Sequence, residues 1–250
     1  MGDVHGMSNE LADLLNRINP STDDRLIFIG DLVDKGPDDI GVIRQVSALK
    51  DRSDIETILL RGNHEDKHLR FRDHHAKGAH IAGEMARKSP ELAAFMADAG
   101  DEDWQVLDDA LPFWRCEHHG ILAVHGGIPG NLSRFPDTPE EFHAATDKYA
   151  KHLKQIWRTR FIHRDGGHFL ALDAYGPDDP FWAEVYDGRF GHVVFGHEAF
   201  MTGVSHFPHA TGIDTGAVYG GQMTALVLSP EGERSFLAVD CPKFARHRFE

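Results

Sequence analysis

The feature that most constrains this chain is a recurring pairing of a short apolar run with a turn of Gly, Asp, Asn or His. Ile27-Phe-Ile29 runs into Gly30-Asp-Leu-Val-Asp-Lys-Gly36, and Ile55 to Leu60 runs into Arg61-Gly-Asn-His-Glu65. Ile121 to Val124 leads to His125-Gly-Gly127, and Val193-Val-Phe195 to Gly196-His197. Apolar runs of this length bounded by turn residues read as buried strands. Open α/β sheets place their sites at the carboxyl ends of such strands. Each turn taken singly is a weak signal, because Asp after a strand more often turns the chain or caps a helix. Carboxylates, an amide and imidazoles delivered to successive strand ends point together to a metal centre.

Helical patterns fill the intervals. Ser8 is expected to cap a helix with Leu11, Leu14, Leu15 and Ile18 on one face, and a second runs from about Asp38 to Leu49. From Asp66 to Leu111 the composition turns to charged helix formers, read as two or three helices over one side of the site. Within it, His74-His75 and the acidic run Asp98 to Asp109 read as solvated faces. Thr138 to Arg160 reads mainly as helix, and Ala217 to Leu228 with Arg234 to Val239 as closing hairpin-like strands. Met1-Gly-Asp-Val-His-Gly6 has no strand in front of it. Either a few upstream residues are omitted or Asp3 and His5 are anchored less firmly than the rest.

Length alone does not choose between one large domain and two small ones. No linker brackets residues 66–111, so the chain is read as a single domain over 1–250. Hydrophobic content of 41% excludes global disorder. With 26 basic against 40 acidic residues and a net charge of -14, stable nucleic-acid binding is not expected. Cys116 and Cys241 have no CxxC spacing, which suits a reduced, cytoplasmic location. No apolar run approaches the roughly 20 residues that span a bilayer.

The residues at the strand ends and the opening turn are Asp3, His5, Asp31, Asn63, His125 and His197. This donor set without Cys suits manganese, iron or zinc and argues against a structural zinc site. It divides into two centres sharing Asp31. Cations roughly 3.5 to 4 Å apart can hold a hydroxide and clamp a phosphoryl oxygen.

Gly2-Asp-Val-His-Gly6, Gly30 to Gly36, Arg61 to Glu65 and His125-Gly-Gly127 resemble, in order and spacing, motifs of the phosphoprotein phosphatase branch of the calcineurin-like metallophosphoesterases. Phe195-Gly-His197 supplies the later histidine, and Ile213 to Leu226 looks like the closing segment of bacterial members, symmetrical diadenosine tetraphosphate hydrolases among them. The resemblance implies an α/β (α+β) four-layer sandwich of two mixed sheets flanked by helices, with a helical insertion near residues 66–111 covering the site. It implies that Asp3, His5 and Asp31 hold one divalent ion, and Asp31, Asn63, His125 and His197 the other. Manganese is the first choice, with iron, zinc or nickel as alternatives. His64 would protonate the leaving oxygen and Asp34 would orient it, while Arg61, Lys35 and one of Arg158 or Arg160 would bind phosphate.

The activity implied is direct attack of a metal-bridging hydroxide on phosphorus, with a phosphorylated protein as first substrate and a dinucleoside polyphosphate as the alternative. Lys35 replaces the Arg of the protein phosphatases and leans towards nucleotide anhydrides. Asp34 with Lys35, Glu65 and His125-Gly-Gly127 lean the other way. A phosphodiesterase or nuclease fits the acidic balance poorly. A silent metal-binding module would be expected to have lost a ligand or the acid, and every position is filled.

Overall fold

The computed structural model describes residues 1–248. The chain opens with α1 (Ser8–Ile18), β1 (Arg25–Phe28), α2 (Asp39–Lys50) and β2 (Glu56–Leu59), a parallel pair joined by a helical crossover. Helices α3 (Asn63–Ala76), α4 (His80–Lys88), α5 (Glu91–Asp98) and α6 (Asp101–Asp108) follow, then β3 (Trp114–Cys116) and β4 (Ile121–Ala123). The region 138–160, expected to be mainly helix, holds α7 (Pro139–Ala144), α8 (Asp147–Leu153) and a 3-10 turn, Lys154–Trp157, with a break between the two helices. Ala145 at the first break is extended, which opens the i→i−4 ladder there. The chain closes through β5 (Phe161–Ile162), β6 (Phe169–Leu170), α9 (Trp182–Val185), β7 (His192–Phe195), β8 (Ser205–Phe207), β9 (Ala210–Gly212), β10 (Asp214–Thr215), β11 (Gln222–Leu228) and β12 (Arg234–Asp240).

Strands β3, β4, β7, β9 and β8 form, in that order, a mixed five-stranded sheet. Strands β10, β11 and β12 form an antiparallel sheet, with β1 and β2 as a separate parallel pair. Ile29, Leu60 and Ile213 pack with Ile121, Ala123 and Val194 to make the core between the sheets. Leu11, Leu14, Val42, Ile43 and Val46 of the first helices cover β1, β11 and β12 on one outer face. Phe142, Leu153, Trp157 and Trp182 cover the five-stranded sheet on the other. Helix, sheet, sheet, helix is the expected layering, each sheet burying both faces.

Several local expectations are corrected. The cap of α1 is Met7, without a side-chain bond, and Ser8 is already helical. Residues 66–111 hold most of α3 and all of α4 to α6, more helices than expected. Phe95, Trp104, Val106 and Leu107 pack into the α1/α2 core, so the acidic run is only half a solvated face. Asp103 within it is buried and accepts from Arg44 at 3.4 Å. Residues 217–221 are turn rather than strand, held by Tyr219 and Gly221 N–H groups donating to the Gly216 carbonyl.

The opening turn is firmly held, against the weaker expectation. Val4 and His5 N–H both donate to Asp31 O, at 3.0 and 2.9 Å, and Gly6 N–H to Leu32 O at 2.8 Å. Met1 lies between β1 and β11, since Ile29 N–H donates to Met1 O and Gly2 N–H to Thr224 O. A cavity of about 450 Å³ lined by Met1, Ile27, Val194, Leu226 and Leu228 lies beside it.

Candidate metal centre

The loops after β1, β2, β4 and β7 meet the opening turn at one end of the sandwich, and Glu65 stitches the first two of them together. This wholly buried carboxylate accepts N–H bonds from Asp31 at 2.9 Å, Leu32 at 2.7 Å and Gly62 at 2.8 Å. Gly62 and Gly196 permit the approach, because a Cβ would lie 2.2 Å from Asp31 Oδ1 at the first and 2.1 Å from Asp3 Oδ1 at the second. His5, Asp31, Asp34, Lys35 and His197 all have positive φ, from 49 to 73°. Such conformations cost about 1–3 kcal/mol each outside glycine. The backbone strain of this chain is therefore concentrated where its candidate chemistry lies.

His125 decides what the cluster can hold. Its Nδ1–H donates to Ile29 O at 2.9 Å, which leaves Nε2 as a bare lone pair. That lone pair lies 3.2 Å from Asp31 Oδ1, from Asn63 Oδ1 and from His197 Nδ1. The two oxygens can only accept. Lone pairs turned on one another in a buried site repel unless a cation lies among them. A 3.2 Å spacing is also that between neighbouring ligands of an ion with bonds of about 2.1 Å. His197 Nε2 has no partner, and its N–H backbone donates to both oxygens of Asp3 at 3.1 Å.

The second half of the cluster is looser. His5 Nδ1–H donates to Val33 O at 2.9 Å, so its Nε2 faces Asp31 Oδ2 at 3.7 Å and Asp3 Oδ2 at 3.9 Å. Lys35 Nζ donates to the same Nε2 at 2.8 Å, a cation already seated against that donor set. Ligand atoms of His5, Asp31 and His64 lie within 4.8 Å of one another, as do those of Asp31, His125 and His197. Burial holds His5 and His197 well below the usual histidine range, and the nearby cations Lys35 and Arg160 add to it. Both rings are therefore neutral, as metal ligands must be. Burial would raise Asp31, and positive charge placed at His125 and His64 lowers it well below the usual carboxylate range, the part a bound cation would take over where those rings are neutral. Asp3 is raised by burial and by Asp214 and Asp31, a surplus of negative charge that divalent cations would relieve.

His64 stands beside these groups. Its Nδ1 lies 2.5 Å from Asp34 Oδ2, and its Nε2 is 3.8 Å from Asp31 Oδ2. Burial would raise Asp34, yet the bonds from His64 and His68 outweigh it and hold the carboxyl well below the usual range.

The structure thus brings together Asp3, His5, Asp31, Asn63, His125 and His197, with His64 and Asp34 adjoining. Arg61 stacks over Trp157 at 5.5 Å, and its buried Nε has no partner. Arg158 is bound to Asp66 at 2.8 Å, also with an unpartnered Nε. Arg160 differs: it donates to Glu198 at 2.8 Å and to His197 O. Sequence reasoning missed the roles of Glu198, Asp214, Lys67 and His68. His68 lies one helical turn beyond His64, a spacing that puts the two on one face but does not name Asp34 as their partner.

A family model described as calcineurin-like phosphoesterase matches residues 1–201. The chain belongs to that family. Its curated relatives include the symmetrical bis(5'-nucleosyl)-tetraphosphatase of Janthinobacterium sp. (strain Marseille), 29% identical over 97% of this chain and 96% of the relative. The protein of that name from Chromohalobacter salexigens is 30% identical over 91% of this chain and 93% of its own. A solved chain described provisionally as a diadenosine tetraphosphatase superposes with a TM-score of 0.68 at 25% identity, covering 96% of this chain and 91% of that one. A serine/threonine phosphatase from Saccharomyces cerevisiae superposes at 0.57 and 16% identity, covering 98% and 79%, and shows the common fold. This calcineurin-like chain is a metal-dependent hydrolase of phosphoesters. Among its described residues no helix is long and apolar enough to cross a membrane.

Proposed function

We propose that this chain hydrolyses dinucleoside polyphosphates, opening the central anhydride of a diadenosine tetraphosphate with water to release two nucleoside diphosphates. This replaces the phosphoprotein substrate that the motifs suggested first. The observation that carries it is the likeness to tetraphosphatases over nearly the full length of both chains, whereas the likeness to a protein phosphatase is one of fold. Lys35 in place of Arg supports it, because a compact ammonium makes no bidentate fork to a phosphomonoester.

The cations would be held by Asp3, His5 and Asp31 on one side and by Asp31, Asn63, His125 and His197 on the other. Manganese is our first choice and iron, zinc or nickel are alternatives. Bound there, they supply Lewis-acid charge and lower the pKa of water. The chain's own groups do the rest. Arg61 and Arg158, whose Nε–H groups are buried and unpartnered, bind phosphate oxygens together with Lys35. Arg160 braces His197 through its backbone carbonyl. Asp34 fixes His64 with Nδ1 towards the carboxylate, leaving Nε2 to hand a proton to the departing phosphate oxygen.

The test is product analysis on diadenosine tetraphosphate with manganese. ADP alone supports symmetrical cleavage. ATP with AMP contradicts it, and turnover of a phosphoserine peptide with none of the dinucleotide returns the phosphoprotein reading.

A further inference from the structure

Asp34 is gripped from one helix by several donors. His64, Lys67 and His68 follow on α3, and each reaches the same carboxylate. His64 Nδ1 lies 2.5 Å from Oδ2, Lys67 Nζ 2.6 Å from Oδ2, and His68 Nε2 2.7 Å from Oδ1. Residues four apart on a helix lie one above the other on one face. His64 and His68 therefore take opposite oxygens of one carboxylate.

His68 is wholly buried, its ring edge-on to Phe95 at 4.7 Å, and its Nδ1 has no partner. A residue placed there for packing alone would be apolar, since a leucine fills such a space without stranding a nitrogen. The stranded Nδ1 is the counterpart of an Nε2–H committed to Asp34. Rotation about the bond carrying a carboxylate is soft, with a broad two-fold preference. Anchoring Oδ2 alone leaves the plane of Asp34 free to swing, and a donor to Oδ1 fixes it. Lys67 ties the same carboxylate to Glu91 of α5 at 2.9 Å, but through the oxygen His64 already uses.

We infer that His68 is a positioning residue for proton transfer: it locks the Asp34 carboxylate so that His64 keeps Nδ1 on Asp34 and Nε2 towards the leaving oxygen. It touches no reacting atom. The inference rests on the proposed reading of His64 as proton donor.

The test compares wild type, His68→Phe and His68→Gln on phenyl phosphate, whose leaving group needs a proton, and on 4-nitrophenyl phosphate, whose leaving group does not. For His68→Phe we expect kcat on phenyl phosphate to fall about tenfold with KM within about twofold, and kcat on 4-nitrophenyl phosphate to fall about twofold at most. His68→Gln, which keeps an N–H donor, should recover most of the loss. Equal losses on both esters would overturn the inference. Nitrogen-15 spectra of the His64 ring in the zinc-loaded proteins give a second readout that needs no turnover. We expect the neutral wild-type ring to keep its Nδ1–H on Asp34, so that the proton it hands over is the one carried at Nε2. In His68→Phe we expect a mixture of tautomers, and unchanged ring signals would overturn the inference. Wild type inert on both esters would leave the role of His68 to be decided by the spectra. If His68→Phe does not fold, His68→Asn, whose amide is too short for Asp34, takes its place.

Discussion

His125 and His197 face each other through Nε2 and Nδ1 at 3.2 Å, with Asp31 and Asn63 oxygens at the same distance from the His125 nitrogen. Asn63→Ala removes one of the hard donors of that group. Metal content of the purified variant, measured by mass spectrometry, should fall from about two ions per chain to about one. Retention of both ions with wild-type affinity would show that Asn63 is not a ligand.

Lys35 competes with any cation for His5 Nε2, which its ammonium reaches at 2.8 Å. Lys35→Ala should tighten the weaker metal site roughly three- to tenfold, as removing a neighbouring positive charge does. It should raise KM for the anionic substrate at the same time. Metal titration by calorimetry and steady-state kinetics separate the effects. A weaker metal site in the variant would mean that Lys35 supports rather than opposes the cation.

Glu65 satisfies the buried N–H groups of Asp31, Leu32 and Gly62. Glu65→Ala strands them at about 1–3 kcal/mol each, so a loss of at least about 3 kcal/mol is expected in urea unfolding. Glu65→Gln can accept only through one oxygen and should fall between. A Glu65→Ala protein as stable as wild type would contradict the stitching role.

The loops after β1, β2, β4 and β7 were legible because an apolar run and its polar stop survive in one dimension. Short strands were not: β5, β6 and β10 are two residues long and too brief to show a period. The break between α7 and α8 falls at the extended Ala145 and Thr146, with Phe142 before it and Leu153 after it both packed into the outer core. The six candidate ligands that the fold gathers, Asp3, His5, Asp31, Asn63, His125 and His197, each stand in a turn that was readable. His68 and Glu65 were not readable in their roles, since a buried polar residue on a helix shows its partner only once the fold brings Asp34 and Asp31 to it.

Acid stability should report His192. Burial, with Arg234 and other histidines nearby, pushes its pKa down to about 4, and its Nε2 is 2.9 Å from Thr211 Oγ1. The unfolded chain binds this proton below its usual value near 6.5, while the folded chain resists it until about 4. Its contribution is thus fully present above about pH 6.5 and is lost as pH falls towards 4. His192→Asn should flatten the decline of Tm between pH 7 and 4.5, as read by circular dichroism. An unchanged slope would place the acid sensitivity elsewhere.

The most direct measurement is hydrolysis by chelated and then manganese-reloaded protein, run side by side on diadenosine tetraphosphate, a phosphoserine peptide and 4-nitrophenyl phosphate. The account predicts no turnover after chelation and restored turnover with manganese. It also predicts kcat/KM highest on diadenosine tetraphosphate, with ADP as sole nucleotide product. Activity that survives chelation, or reloaded protein that turns over the phosphopeptide and leaves the dinucleotide intact, would contradict it.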